Sequence, residues 1–332
     1  MIQSQPMAPD EQSVADFVTQ AQQLEAAVQT VIIGQTETVR ETIIALLAGG
    51  HVLLEGVPGL GKTLLVRTLA ASLNLSFSRV QFTPDLMPAD ITGTTILRED
   101  EHRGRSFAFQ SGPLFAHLVL ADEVNRATPK TQSALLEAMQ EHTVTVGNET
   151  HTLPSPFFVL ATQNPLEMEG TYPLPEAQLD RFLLKILVPF PRGDVLLGIV
   201  QQTLQPAATP TPVLDGLRLG EMIGVARAVP VATPLARYAV SIIEATHPEW
   251  SEVERVRRYV QAGASPRGLQ AMVTCAQVRA LLEGRFNVSV ADFQALARPA
   301  LRHRILLNFE GQAEGLSTET IIDEVLSAVP AP

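Results

Sequence analysis

The chain has very little cysteine. Cys275 is the only cysteine among 332 residues, so a disulfide within the chain is excluded. The residues around it follow an apolar pattern, which is typical of a small buried core residue. The lack of a disulfide framework favours a reducing compartment, and a cytoplasmic location is expected.

Positive charge is also scarce, because 24 lysines and arginines face 35 acidic residues and the formal net charge is -11. Holding nucleic acid through counterion release needs a basic field or a basic stripe, and the sequence shows neither. A nucleic-acid partner is therefore not expected, although a local basic pore is compatible with this composition.

Long apolar runs are absent as well. No segment approaches the ~18 consecutive apolar residues that a membrane-spanning helix requires. Residues 1–10 lack a basic segment followed by an apolar one, so neither a signal peptide nor membrane insertion is expected. Targeting through a partner protein stays open.

The length and the apolar content indicate two domains. Hydrophobic residues make up 45% of the chain, which is enough for packed cores, and domains usually have roughly 100–200 residues. We predict a flexible tail over residues 1–12, an α/β nucleotide-binding domain over 13–190 and a smaller helical domain over 191–332. Ser13 is the expected N-cap of the first helix, and Ser265 and Ser289 are expected to cap helices of the second domain.

A glycine-rich segment carries the first chemical motif. Residues 56–63 fit the phosphate-binding pattern G-x-x-x-x-G-K-[ST]. Its glycines let the backbone curl around phosphates with the N–H groups pointing inward, while Lys62 meets phosphate charge and Thr63 meets Mg²⁺. The predicted nucleotide-binding residues of this segment are Gly56, Val57, Pro58, Gly59, Leu60, Gly61, Lys62, Thr63 and Leu64.

The motif has the structural context that it needs. Residues 51–55 are typical of a buried parallel strand, and a helix over residues 62–73 is predicted directly after the loop. Further strands are predicted at Phe77–Gln81, Leu118–Asp122 and residues 157–162, with a helix between the last two. Alternating strands and helices predict a parallel α/β sheet covered on both faces.

Polar residues follow two of these strands. Asp122 would hold Mg²⁺ through water, and Glu123 would orient and polarise the attacking water, because phosphoryl transfer depends on positioning and charge stabilisation. Asn164 could meet the γ-phosphate or the same water, or it could be a turn residue before Pro165. The seven histidines have no cysteine or acidic partner at ligand spacing, so Mg²⁺ is the only metal indicated.

Two inserts interrupt the α/β pattern. Residues 82–113 and 143–153 contain alternating segments, and Gly147-Asn148 in the second insert is a hairpin signal. Each insert is either a projecting hairpin or an ordinary connecting loop. Phe107 and Phe109 of the first insert are then either partner contacts or core residues.

These motifs, together with the segments at residues 179–182 and 263–267, resemble the MoxR family of AAA+ ATPases. The resemblance covers nearly the whole chain and is most specific at residues 51–63, 121–140, 161–182 and 301–304. It implies a P-loop AAA+ parallel sheet flanked by helices, followed by an all-helical lid. It also implies a homo-oligomeric ring, usually a hexamer, with ATP bound between subunits.

The resemblance implies roles for two arginines. Arg181 would be the arginine finger that reaches the neighbour's γ-phosphate, and Arg267 would be the sensor-2 arginine of the lid, since a guanidinium matches phosphate oxygens. Arg126 is a second candidate for action on a neighbouring subunit and ranks below Arg181, because it lies directly after the acidic pair. Met168 stands where the family often has glutamine.

The leading hypothesis is an ATP-driven, chaperone-like remodeller that matures, activates or inserts metal into a partner protein. The resemblance implies a von Willebrand factor A domain protein as that partner. The alternatives are the motor subunit of a metal chelatase, a nucleic-acid motor, and a nucleotide-gated scaffold with negligible turnover. The acidity of the chain weighs against the nucleic-acid motor, and intact Glu123 and Arg181 weigh against the scaffold.

Overall fold

The computed structural model describes residues 10–100, 104–165, 171–205 and 210–332. Met168 and residues 1–9 of the predicted tail lie outside these ranges. The helices are α1 (Glu11–Gln29), α2 (Thr36–Leu47), α3 (Lys62–Ser72), α4 (Pro88–Thr92), α5 (Pro129–Glu141), α6 (Glu176–Leu179), α7 (Asp194–Thr203), α8 (Gly216–Arg227), α9 (Thr233–Ala245), α10 (Glu254–Tyr259), α11 (Pro266–Leu282), α12 (Val290–Leu301), α13 (Phe309–Ala313) and α14 (Thr318–Ala328). The strands are β1 (Val52–Glu55), β2 (Phe77–Gln81), β3 (Gly93–Asp100), β4 (Gly104–Ser111), β5 (Leu118–Asp122), β6 (Thr143–Val146), β7 (Glu149–Thr152), β8 (Phe158–Gln163), β9 (Leu184–Leu187), β10 (Val260–Ala262) and β11 (Leu306–Leu307).

Five strands form a parallel sheet in the order β2-β5-β8-β1-β9. β1 lies between β8 and β9, with Val52 opposite Leu160 on one side and Leu184 on the other. Apart from Gln163, every residue of β5 and β8 is buried, as expected for parallel strands covered on both faces. Because all five strands run the same way, the sheet has one edge where its strands end and one where they begin. We call these the carboxyl edge and the amino edge.

Alternate residues of the strands face two different cores. Val52 and Leu54 belong to a core that they share with α1, α2, α3 and helices of the C-terminal part, whereas Leu53 belongs to a second core with α5. Cys275 is completely buried in the first core, and burial raises the pKa of its thiol to about 12. The prediction of a buried core cysteine is confirmed.

Local sequence signals predicted the N-caps of α11 and α12 correctly. Ser265 caps α11 and accepts a hydrogen bond from the backbone N–H of Arg267. Ser289 and Asp292 form the capping box of α12, with the backbone N–H of Ser289 donating to Asp292 Oδ2 at 2.7 Å. Capping depends on neighbours within one turn, which is why the sequence alone was sufficient for both helices.

Three details differ from the sequence prediction. Asp10, and not Ser13, caps α1: the Asp10 carboxylate accepts a hydrogen bond from the Ser13 backbone N–H, so Ser13 lies inside the first turn. Strand β9 was missed, although it coincides with the apolar run before Pro189. The C-terminal part also contains a short antiparallel pair, β10 and β11, whose partners are too far apart in sequence for a local pattern to reveal.

Both inserts form antiparallel hairpins, β3–β4 and β6–β7. The hairpins touch through Phe109, whose ring stacks on His151 with the centroids 3.8 Å apart and meets Phe115 edge-on at 5.3 Å. Phe107 is 79% exposed and lies opposite Leu97, which is exposed as well. Phe109 is therefore a packing residue, whereas Phe107 faces solvent.

Candidate nucleotide-binding site

The glycine-rich loop connects β1 to α3 at the carboxyl edge. Gly59 and Gly61 have φ angles of +83° and +78°, which L side chains rarely adopt, and Gly61 is the N-cap residue of α3. A Cβ atom at either position would meet no heavy atom within 4 Å, so the loop presents its backbone to open space. Free N–H groups at a helix start and an unobstructed backbone together form an anion-binding site.

Lys62 begins α3 and lies across this loop. Its Nζ donates a hydrogen bond to the carbonyl oxygen of Gly56 at 2.5 Å. Partial burial lowers the pKa of Lys62 from its usual value, and the carboxylates of Asp122, Glu123 and Glu55 oppose the shift. The lysine is thus close enough to Asp122 and Glu123 for their charges to stabilise its protonated form. Thr63 is half-buried, and the side chain of Leu64 is 46% exposed.

Asp122 ends β5 and is almost completely buried. Its Oδ1 accepts a hydrogen bond from the Thr162 hydroxyl at 2.6 Å, and its Oδ2 accepts from Arg79 Nη2 at 2.7 Å and from Arg79 Nε at 3.2 Å. Thr162 also accepts a hydrogen bond from the backbone N–H of Glu123 at 2.8 Å. One threonine on β8 therefore fixes both members of the acidic pair.

Glu123 has a left-handed backbone conformation, with φ +56°. Its Oε2 accepts hydrogen bonds from Gln81 Nε2 at 2.7 Å and from Arg126 Nη1 at 2.9 Å. Arg126 is therefore a direct partner of Glu123 within the same chain.

The residues predicted to bind nucleotide at the carboxyl edge follow three neighbouring strands. The glycine-rich loop follows β1, Asn164 follows β8 and the acidic pair follows β5, and these strands are adjacent in the sheet. Asn164 is buried. The backbone N–H of Gly56 donates to the carbonyl of Gln163 at 3.3 Å, which joins the loop to the end of β8. Ligands in open α/β sheets bind at this edge.

Arg181 is not brought to this group. It lies just before β9, at the amino edge, where the backbone N–H of Leu183 donates to the carbonyl of His51 at 2.8 Å. Arg181 Nη1 donates to the carbonyl oxygen of Leu136 in α5 at 2.9 Å. Strand β1 has four residues and therefore spans about 13 Å. Within one chain, Arg181 at the amino edge and the glycine-rich loop at the carboxyl edge are separated by at least the length of this strand.

Arg267 lies with Arg181 and not with the glycine-rich loop. Both arginines line one cavity of 280 Å³ between the sheet's amino edge and α11. Arg267 Nη1 is 3.8 Å from Asp180 Oδ2, and Asp180 Oδ1 accepts hydrogen bonds from Ser265 Oγ at 2.7 Å and Arg304 Nε at 2.8 Å. Asp180, the residue before Arg181, is therefore bound to two segments of the C-terminal part, the start of α11 and Arg304.

Sequence reasoning missed four residues of these two groups: Arg79, Gln81, Thr162 and Asp180. A weak signal existed for the first two, because arginine and glutamine alternate on a strand predicted for a mostly buried sheet. Asp180 falls inside a segment that supported the family resemblance, but nothing local indicated its three partners. Each of these contacts joins residues about 40 or more positions apart.

The oxygen donors at the carboxyl edge fit Mg²⁺. Asp122 supplies a carboxylate and Thr63 a hydroxyl, and Mg²⁺ is bound by few protein oxygens together with water and substrate phosphates. Across residues 10–100, 104–165, 171–205 and 210–332, no group of three or more His, Cys, Asp or Glu side chains could hold another metal ion. Within the same ranges, no helix is long and apolar enough to cross a membrane.

Family models match two parts of the chain. Residues 51–184 match the model described as ATPase family associated with various cellular activities (AAA), and residues 252–325 match the AAA lid domain. The first match contains the glycine-rich loop, the acidic pair, Asn164 and Arg181. The second contains Arg267. The chain therefore contains an AAA ATPase domain, whose activities are nucleotide binding and ATP hydrolysis.

Individual proteins are similar over most of their length. The chain is 45% identical to protein YeaC of Bacillus subtilis, covering 92% of both chains, and 42% identical to chaperone MoxR1 of Mycobacterium tuberculosis, covering 92% of this chain and 80% of the other. A structure from Cytophaga hutchinsonii, provisionally described as an ATPase, superposes with a TM-score of 0.90 at 39% identity and covers 97% of this chain and 98% of that one. The chain therefore belongs to the MoxR family of chaperone-like AAA+ ATPases.

Proposed function

We propose that the chain binds ATP and Mg²⁺ at the carboxyl edge and hydrolyses the nucleotide there. The observation that carries this proposal is the meeting of the glycine-rich loop, the acidic pair and Asn164 at three adjacent strand ends. Residues Gly56 to Leu64 would hold the phosphates, with Lys62 against their charge. Thr63 would bind Mg²⁺ directly and Asp122 through water.

The chemical step needs an attacking water and a means to orient it. Glu123 would take that role, and buried Asn164 would hold the γ-phosphate or the same water. Mg²⁺ would neutralise charge on the phosphate oxygens when bound. Because the reaction consumes ATP, the proposal places the chain in the cytoplasm.

We infer that the complete site is shared between subunits of a ring, and that the ring is a hexamer. The glycine-rich loop lies at the carboxyl edge, whereas Arg181 and Arg267 line a cavity at the amino edge. If subunits pack head to tail, the amino edge of one subunit faces the nucleotide of the next. Arg181 would then act as the finger and Arg267 as a second phosphate contact, both on the neighbour's nucleotide.

ATP turnover in this ring would drive remodelling of a partner protein. The support is the similarity to the proteins named chaperone MoxR1 and, at 32% identity with 96% of this chain covered, protein MoxR of Paracoccus denitrificans. We propose a von Willebrand factor A domain protein as the partner, and its maturation or metal insertion as the outcome. The hairpins β3–β4 and β6–β7, the first of which exposes Phe107, are the structural elements suited to contact it.

The test is ATP hydrolysis against protein concentration in the presence of Mg²⁺, together with the mass from light scattering with and without ATP. We expect the specific activity to rise as the mass increases from monomer to ring. A specific activity that stays constant while the mass remains that of a monomer would contradict the shared site. No hydrolysis by the assembled ring would contradict the proposal as a whole.

A further inference from the structure

Arg79 contacts the proposed metal-binding carboxylate. It lies on β2, the strand next to β5, and its side chain is 47% exposed. Two of its nitrogens donate to the same oxygen, Oδ2 of Asp122, at 2.7 and 3.2 Å. Its Nη2 also donates to Gln81 Oε1 at 2.8 Å, so the guanidinium has a fixed position between two partners.

The free acceptor capacity of Asp122 is small. A carboxylate has about four lone-pair positions for hydrogen bonds. Arg79 takes two of them on Oδ2, and the Thr162 hydroxyl takes one on Oδ1. A magnesium ion that used Asp122 through its bound water would need these same oxygens and would also be repelled by the nearby guanidinium charge.

We propose that Arg79 is an internal counter-ion that competes with Mg²⁺ for Asp122. This inference rests on the proposed role of Asp122 in metal binding. Arg79 can leave because its guanidinium is half-exposed and easily solvated, and the metal ion then takes its place as the charge partner of buried Asp122. Asp122 stays oriented when Arg79 leaves, because Thr162 still holds Oδ1. Arg79 thus lowers the affinity of the site for the divalent ion.

The direction in which metal affinity changes when Arg79 is removed distinguishes competition from a role in orienting Asp122. If Arg79 only oriented the carboxylate, its removal would weaken metal binding, as is usual for partners of metal ligands. If it competes, its removal strengthens metal binding. The loss of one half-exposed ion pair corresponds to a Kd about two- to fivefold lower.

The experiment measures Mn²⁺ binding to the full chain in the presence of ADP, with free Mn²⁺ followed by electron paramagnetic resonance. Arg79→Met should lower the Kd for Mn²⁺ about two- to fivefold, and Arg79→Gln should change it in the same direction. The matched control is Arg67→Met, which removes one exposed arginine from α3 of the same domain. ADP affinity in EDTA, expected to stay within about twofold of wild type, checks that each variant is folded.

Two results would overturn the inference: a Kd for Arg79→Met that is unchanged or higher, or an equal decrease in Arg67→Met, which would indicate a net-charge effect. Asp122→Asn separates this failure from that of the proposed function. Loss of Mn²⁺ binding in Asp122→Asn establishes the site even when Arg79→Met has no effect. If the wild-type chain takes up no Mn²⁺ with ADP, the proposed function itself fails.

Discussion

The backbone conformation and the side-chain position of Glu123 are both fixed by neighbouring residues. Its left-handed backbone is unfavourable for an L residue by about 1–2 kcal/mol, and such conformations concentrate at functional sites. The backbone N–H donates to Thr162, and Gln81 and Arg126 hold the carboxylate. The side chain is therefore directed by residues on β2, β8 and its own turn.

Glu123→Gln should separate binding from chemistry. The amide keeps nearly the same shape but cannot accept a proton or polarise water as a carboxylate does, so hydrolysis should fall about 10²–10⁴-fold. ATP affinity should change less than about threefold, because the proposed site holds the phosphates with the loop and Lys62 and not with Glu123. Fluorescent nucleotide binding and single-turnover hydrolysis measure the two quantities. Retained turnover would assign the water to another base.

Glu41 on α2 is a half-buried carboxyl group outside the site. Burial raises its pKa to about 7; Arg302 opposes this shift, and Glu37 and Glu319 add to it. The folded chain therefore holds a proton at Glu41 in a range where the unfolded chain has lost it. By linkage, this group's contribution to stability falls as pH rises from about 4.5 to about 7.

Glu41→Gln should remove that pH dependence. The free energy of unfolding of the variant, relative to wild type, should increase by about 2 kcal/mol between pH 5 and pH 8, as expected for this shift in a partly solvated group. Urea unfolding at several pH values measures the difference. The comparison with wild type is needed because His51, whose pKa burial lowers to about 4, gives the opposite slope below pH 6.5. A constant difference would show that Glu41 titrates normally in the fold.

At the scale of elements, the two hairpins form one unit. Their strands pair locally, and within the described residues the one ring contact that joins them is Phe109 against His151, which Phe115, just after β4, also meets edge-on. A two-stranded hairpin alone is marginally stable in water, so these contacts should determine how often the unit opens. Helix α5 begins shortly after Glu123, and the carbonyl of its residue Leu136 accepts a hydrogen bond from Arg181. The helix therefore links the two edges of the sheet.

Phe109→Ala should loosen both hairpins, whereas Phe107→Ala should not. Loss of the stacked ring removes about 1–2 kcal/mol of local stability, which corresponds to about tenfold faster amide exchange in β3, β4, β6 and β7. Phe107 is the matched control, because it lies two residues away on the same strand and is 79% exposed. Hydrogen exchange read by mass spectrometry makes the measurement. Equal protection in the two variants would mean that the ring contact does not hold the hairpins together.

At the scale of the molecule, the proposed ring would combine the two edges of the sheet, from neighbouring subunits, into one site. The carboxyl edge has the nucleotide loop, and the amino edge has Arg181 and Arg267 beside Asp180. Asp180 also binds Arg304, whose side chain is 2% exposed, so the C-terminal part is joined firmly to the segment that carries Arg181. Movement of that part on ATP binding would therefore displace Arg181.

Mixing two inactive variants tests this arrangement. Lys62→Ala should lose nucleotide binding, and Arg181→Ala should bind ATP but lose about 10³–10⁵-fold in assembly-dependent hydrolysis. In a random mixture of equal parts, about a quarter of the sites combine an intact loop with an intact finger from the neighbour. ATPase activity of the mixture should recover to about that fraction of wild type. A double variant, Lys62→Ala with Arg181→Ala, mixed with Arg181→Ala is the control and should stay inactive.

An inactive mixture would mean either that Arg181 does not act between subunits or that it is needed for assembly. Light scattering of the mixture tells whether rings still form. Rings without activity would exclude the finger role, and the absence of rings would make Arg181 an assembly residue.

Much of the site could be predicted because its signals are local. The loop, Lys62 and the start of α3 occupy one short segment, and Asp122 and Glu123 stand together at the end of an apolar strand. The family resemblance indicated Arg181 and Arg267 as functional residues, but it did not indicate that they share a cavity. That proximity depends on how the C-terminal helices pack against the sheet.

The sequence by itself determined the order of strand, loop and helix, the capped helices and the acidic strand end, because these depend on neighbours within a few residues. Only the tertiary structure decided that Arg79 binds Asp122, that Phe109 packs while Phe107 is exposed, and that Asp180 holds Arg304. These contacts join residues 42 to 124 positions apart. The sheet order and the packing of the C-terminal part bring them together, and no local pattern encodes either one.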